Sequence, residues 1–115
     1  MDLKKITEAF SVSPQIKASD IPTIRDAGIR TIICNRPDGE GSDQPAFEEI
    51  EVAAKAAGIV THYVPVQSGM MTEAAVIAFS DALPGSPEPV LAYCRSGARS
   101  STLWARLVEV TGRSA

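Results

Sequence analysis

The 115-residue chain has only two cysteines, one histidine and one tryptophan, and aromatic residues make up 5% of it. Two cysteines cannot build a disulfide scaffold, and one histidine beside them cannot complete a closed zinc site of Cys and His ligands. Any Ser-His-Asp chemistry would have to rest on His62 alone, and His62, in mid-strand without ligand partners, reads as structural. No run approaches the roughly 18 apolar residues that a membrane span needs, and Met1 to Phe10 lacks the apolar stretch of a signal peptide. The eleven Lys and Arg are scattered and outnumbered by fourteen Asp and Glu, for a net charge of -3, so no electrostatic footprint for nucleic acid is visible. These absences lead us to expect a cytoplasmic chain with both thiols reduced and with neither a nucleic-acid nor a membrane partner.

What remains is ordinary for a folded protein: 44% hydrophobic and 22% charged residues. That length and composition allow one domain, residues 1–115, with a single modest core.

Strand-like and helix-like stretches alternate. Ala9 to Ser13 is short and β-compatible before Pro14, and reads as an edge-like first strand. Ser19 and Asp20 offer N-cap oxygens to a short helix, with Pro22 early and Gly28 closing it. Ile29 to Cys34 is a continuous β-branched run of the kind that both faces of a parallel sheet cover. Phe47, Ile50, Ala54 and Ala57 share one helical face, with Glu48, Glu49, Glu51 and Lys55 outside and Gly58 at the end. Ile59 to Val66 reads as another strand with Pro65 near its end. Thr72 opens a helix carrying Ala75, Val76, Phe79 and Leu83, which Pro84-Gly85-Ser86-Pro87 ends. Met70 and Met71, just ahead of it, are either soft contacts at a site mouth or core. Val90 to Tyr93 is a buried strand, and Leu103, Trp104, Leu107 and Val108 restore the helical period from Ser100 onward. Repeated strand and helix predict a three-layer α/β fold, a mainly parallel four- to five-stranded sheet with helices on both faces.

The chemistry concentrates in Cys94-Arg95-Ser96-Gly97-Ala98-Arg99-Ser100, between the last strand and the last helix. A loop at the carboxyl end of a parallel strand, feeding a helix N-terminus, turns its backbone N–H groups into one concavity. A thiol there has a depressed pKa and is a nucleophile at neutral pH, so Cys94 is the candidate nucleophile. Gly97 allows the tight twist, and Arg99 can fold over a bound anion with a planar donor set. Ser100, as helix cap, can hydrogen-bond the sulfur. Arg95, Ser96, Gly97 and Ala98 supply anion-binding groups, and Arg36, beyond a neighbouring strand end, is a further candidate. Cys34 is a candidate redox partner for Cys94 or simply packing. No metal or organic cofactor is expected.

Tyr93 to Ser100 resembles the active-site loop of rhodanese-type sulfurtransferases, Cys-Arg-x-Gly-x-Arg or Thr. Elsewhere Phe10 to Gln15 (FSVSPQ), Asn35 to Glu40 (NRPDGE), Tyr63 to Val66 (YVPV) and Pro89 to Cys94 (PVLAYC) resemble the phosphatase-like domain of the β-lactamase-hydrolase-like protein family, over Ile6 to Leu107. That resemblance implies a protein-tyrosine/dual-specificity-phosphatase-like fold. It also implies a partner, since family members occur alone or fused to metallo-β-lactamase-fold persulfide dioxygenases.

Tyrosine and dual-specificity phosphatases read Cys-x5-Arg, whereas the arginine here comes one residue earlier, at Arg99. The smaller cradle suits a cysteine persulfide better than a tetrahedral phosphate. Phosphatases also need a general acid, and Pro65 to Met71, where one is expected, has no carboxylate; Asp38, Glu40 or Asp43 would have to substitute. The expectation is therefore a sulfurtransferase, passing sulfane sulfur from a small anionic donor, thiosulfate or a persulfide, to a thiol through a Cys94 persulfide. The alternatives are a cysteine phosphatase acting on a phosphoester through a Cys94 phosphocysteine, and a non-catalytic anion- or persulfide-binding partner domain.

Overall fold

The computed structural model describes residues 2–111. Its sheet has five strands, β1 (Lys4–Lys5), β2 (Phe10–Ser13), β3 (Thr31–Cys34), β4 (Val60–Tyr63) and β5 (Val90–Tyr93), in the order β1-β2-β5-β3-β4. Only the β1–β2 pair is antiparallel. Four α-helices, α1 (Ile21–Asp26), α2 (Phe47–Ala56), α3 (Glu73–Ala82) and α4 (Ala98–Thr111), complete the described residues.

β3 and β5, the central strands, are buried throughout and place consecutive residues on opposite faces. Ile32, Leu91 and Tyr93 pack with Ile21 and Ile24 of α1 and Ile50 and Ala54 of α2. Ile33 and Ala92 turn the other way, toward Val76 and Phe79 of α3 and Leu103 and Leu107 of α4. Phe10 stacks on Trp104 at 4.3 Å and meets the edge of Phe79 at 5.9 Å, which anchors α3 and α4 to the sheet. Phe79 is fully buried, and its truncation to alanine should cost about 3–5 kcal/mol.

Two expectations are corrected. β2 is not an edge: Lys4 and Lys5 pair with Val12 and Ser11 and cover it, and all four β2 residues are buried. The edges are β1 and β4, and β4 ends at Tyr63 before Pro65 with no fully buried residue. At α1 the carboxylate of Asp20 makes no cap bond to the helix; it accepts instead from the Lys17 N–H at 2.9 Å and closes a 3-10 turn, Ala18–Asp20. Thr72, by contrast, caps α3, its hydroxyl accepting from the Ala75 N–H at 3.1 Å. His62 is tied to the Ser86 hydroxyl at 3.0 Å, in keeping with a structural place.

β5 lies between β2 and β3, so the crossover from β2 through α1 covers one face and the crossover from β4 through α3 covers the other. The chain therefore reverses its winding at β5. In open parallel sheets such a point opens a crevice at the carboxyl ends of the strands. β5 and β3 end there in Cys94 and in Asn35-Arg36.

Candidate active site

From Tyr93 the chain turns through Cys94 to Gly97 and enters α4 at Ala98, two residues earlier than the apolar spacing predicts. Ser96 starts the helix, its hydroxyl accepting from the Ala98 N–H at 3.3 Å. Gly97 takes φ +93°, and a Cβ there would lie 3.4 Å from the Ser13 backbone, so glycine serves both the twist and the close approach to β2. The Cys94 N–H reaches the Ser13 carbonyl at 3.4 Å, and the Arg95 carbonyl accepts from the Gln15 N–H at 3.2 Å. Both ends of the turn are thus pinned to the segment that follows β2.

Cys94 is fully buried. Burial pushes its thiol pKa up, but the backbone N–H groups of Ser100, Ser96, Arg99 and Gly97 together outweigh that, and the pKa falls below its ordinary 9.0. The Gly97 N–H donates to the sulfur at 3.1 Å. These are the amides of a strand-to-helix turn, held in place by the backbone, so they need no reorganisation to receive an anion.

The hydroxyl of Ser100 behaves differently from expectation. It donates to Asn35 Oδ1 at 2.8 Å, and Asn35 Nδ2 donates to the Val64 carbonyl at 2.9 Å. Both side chains are fully buried. The start of α4 is thereby fastened to the ends of β3 and β4, and Ser100 serves the sulfur through its backbone N–H. It is also not the helix cap, because it lies inside the first turn.

Arg99 is clamped. Its Nη1 donates to Glu40 Oε2 at 2.7 Å and to the Val66 carbonyl at 2.8 Å, and its Nη2 donates to Glu40 Oε1 at 2.7 Å. Three of its five N–H donors are used, all on the far end of the guanidinium. The side-on edge, Nε–H and the second Nη2 hydrogen, takes no part in these three bonds, and with the Cys94 sulfur beside Arg99 it is a bidentate face for an oxyanion at the nucleophile. The pKa of Arg99 is raised, chiefly by its hydrogen bond to Glu40, with the Cys94 thiolate a further contributor.

Glu40 also accepts from Arg36 Nε at 3.0 Å, and Arg36 Nη1 donates to Gln15 Oε1 at 3.1 Å. The hydrogen bond from Arg99, then that from Arg36, holds the Glu40 carboxyl at about 2 against the opposing effect of burial. A carboxylate so placed has no proton to give near neutral pH. Asp38 is occupied as well: its Oδ1 accepts from the Phe47 N–H at 2.8 Å at the start of α2, and its own N–H meets the Tyr63 hydroxyl at 3.0 Å. Asp43 has no such duty, and it lines a cleft of about 420 Å³ with Arg36, Glu40, Ser68, Arg95 and Arg99. The candidate acids therefore separate into a clamp, a helix cap and a cleft carboxylate.

Cys34 points into the opposite core face, with Tyr93 and Ile50. Its thiol donates to the Arg36 carbonyl at 3.3 Å, and burial raises its pKa. Both cysteines are free. Among the described residues no three His, Cys, Asp or Glu side chains converge as metal ligands, and no helix is long and apolar enough to cross a membrane.

Asn35, Gln15 and Ser68 are not among the candidate site residues the sequence suggests, although Gln15 and Asn35 lie in two of the family-like motifs. For Asn35 a signal existed: an amide directly after a buried β-branched strand must find partners where the strand ends. Gln15 and Ser68 carry no comparable mark.

Residues 2–109 match the family described as beta-lactamase hydrolase-like protein, phosphatase-like domain. The chain is 34% identical over 113 residues to a beta-lactamase hydrolase-like protein of Agrobacterium fabrum, covering 98% of this chain and 26% of that relative. It thus spans about a quarter of the length of such curated relatives. A phosphatase candidate from Neisseria meningitidis is 37% identical, with a TM-score of 0.89 over 99% of this chain and 81% of that one. A substituted form of TpbA of P. aeruginosa, solved in complex with pTyr, is 16% identical with a TM-score of 0.70, over 97% of this chain and 65% of its own, and shares the fold alone.

These matches overturn the sulfur-transfer expectation. The family is phosphatase-like and the 37% identical relative is described as a phosphatase candidate, so the rhodanese-like letters of the loop misled: they sit on a phosphatase-like scaffold. The missing acid that favoured sulfur transfer also loses force, because Asp43 brings a carboxylate to the cleft from a different loop.

Proposed function

The chain belongs to the beta-lactamase hydrolase-like protein, phosphatase-like domain family, and from that premise we propose that it is a cysteine-dependent phosphatase. Cys94 is the nucleophile. Its thiolate attacks the phosphorus of a phosphate monoester, the ester P–O bond breaks, and a Cys94 phosphocysteine forms; water then attacks phosphorus, releasing inorganic phosphate and restoring the thiolate. The N–H groups of Ser96, Gly97, Arg99 and Ser100 hold the equatorial oxygens, and the side-on edge of Arg99 takes the charge that builds up in the transition state. Glu40 is a positioning residue that sets the angle of that edge. Asp43 gives its proton to the leaving oxygen and takes one from the attacking water.

One observation carries this reading: a thiol whose pKa is lowered by backbone amides faces a guanidinium that is fixed at one end and open at the other. The test is release of inorganic phosphate from aryl and alkyl monoesters, with and without Cys94→Ser, together with intact-mass detection of phosphate on Cys94. Turnover that depends on Cys94 and a phosphorylated Cys94 are expected. Turnover that survives in Cys94→Ser would overturn the reading.

A further inference from the structure

The geometry points to a small, hydrophilic phosphoester with a second anionic group as the substrate class, that second group being held by Arg95; this rests on the phosphatase reading above. The cleft beside the Cys94 turn, which Arg95 and Arg99 reach, is lined by these two and by Arg36, Glu40, Gly41, Ser42, Asp43 and Ser68, without one aromatic or aliphatic side chain. A phenyl phosphate must bury its ring, and a wall of glycine, serine and charged groups returns nothing for removing that ring from water. A polyol or sugar phosphate meets matching donors and acceptors there instead. The cleft, about 420 Å³, also holds more than one phosphoryl group.

The charges distinguish the three arginines. Glu40 is shared between Arg99 and Arg36, and Gln15 takes another Arg36 donor. Arg95 has no side-chain hydrogen bond or ion pair among the described residues, and it is exposed at the cleft wall next to the nucleophile. It is the one cation of that wall whose charge nothing in the described protein offsets. Asp43, the remaining carboxylate, is committed to the leaving oxygen. With the scissile phosphoryl group on the Cys94 amides and Arg99, a phosphate or carboxylate elsewhere on the same small molecule meets Arg95 and its planar, bidentate donors.

The test compares kcat/KM for fructose bisphosphate, glycerol phosphate and p-nitrophenyl phosphate in wild type, Arg95→Ala and Arg95→Lys, and the binding of the first two to Cys94→Ser by calorimetry. Fructose bisphosphate should exceed glycerol phosphate by about tenfold or more, the size of one charge-assisted contact. Arg95→Ala should collapse that ratio toward one, and Arg95→Lys should restore only part of it. In Cys94→Ser the same preference should appear as affinity and vanish when Arg95→Ala is added. A preference for the aryl ester, or a ratio indifferent to Arg95, overturns the inference while leaving the phosphatase reading intact. Arg95-dependent binding without turnover of any ester retains the binding site and overturns the phosphatase reading. Neither preference nor binding overturns the inference outright.

Discussion

Cys34 and Cys94 end neighbouring strands, and the β3–β5 register sets Cys34 opposite Tyr93, one residue before Cys94. Both thiols are buried and free. Yet burial raises the pKa of Cys34, while at Cys94 the same burial is outweighed by backbone N–H groups and the pKa falls. A one-residue step decides this. Cys34 still belongs to the strand and points into packed side chains, whereas Cys94 follows the strand, where N–H groups of the turn and of the first turn of α4 face its sulfur. Reactivity in this fold belongs to the position where unpaired amides converge, and the cysteine exploits it.

The largest break in that comparison is at the nucleophile. Cys94→Ser should lower phosphate release by roughly 10⁴-fold or more, because the hydroxyl lacks the thiolate's charge and nucleophilicity at neutral pH. Cys34→Ala should keep turnover near wild type and cost instead about 1–3 kcal/mol of stability, read from urea unfolding, through a small cavity and the lost bond to the Arg36 carbonyl. Comparable loss of turnover in both variants would erase the distinction.

The leaving-group carboxylate comes next. Asp43→Asn should lower turnover of alkyl phosphates by about 10²–10⁴-fold, and much less for an aryl ester whose leaving oxygen needs no proton. Steady-state rates across esters of graded leaving-group pKa read this directly. A uniform loss would assign Asp43 to binding.

Much of the frame for this site is written locally. The β-branched run before Cys34, the short strand to Tyr93 and the helical period from Leu103 each signal their element within a few residues. The turn at Cys94 with Gly97 and Arg99 is legible for the same reason. The Arg99–Glu40 clamp and the Ser100–Asn35 bond are not, because each joins the start of α4 to the segment after β3, whose adjacency follows only from the sheet order. Likewise Lys4 and Lys5 cover β2 through backbone pairing alone, and two charged residues carry no apolar alternation to announce a strand. The function misread has a similar origin: the loop letters and the lack of a carboxylate from Pro65 to Met71 outweighed Asp43, whose place in the cleft follows only from the fold.

The clamp makes a smaller prediction. Glu40→Gln should lower kcat/KM by about tenfold, since one charge-assisted hydrogen-bond pair holds the Arg99 edge in place. It should also flatten the acid limb of stability. The folded pKa of Glu40, about 2, lies below its ordinary 4.5, so its contribution is present above 4.5 and is lost as pH falls toward 2. Urea midpoints between pH 5 and 3 should therefore drop in wild type more than in the variant, the difference following the titration of this one group.

The smallest effect separates amides from hydroxyls as the cause of the difference between the two cysteines. Ser100→Ala removes the donor to buried Asn35 Oδ1 and should cost about 1–3 kcal/mol of stability, the penalty of an acceptor left without a partner. It should leave the pH midpoint of Cys94 alkylation by iodoacetamide nearly unmoved, because the Ser100 backbone N–H remains and the hydroxyl never faced the sulfur. In the same assay Cys94 should react ahead of Cys34 at neutral pH, as thiolate character dictates. A midpoint that rises in Ser100→Ala would transfer part of the thiolate's stabilisation from the backbone to the side chain, and with it part of what distinguishes Cys94 from Cys34.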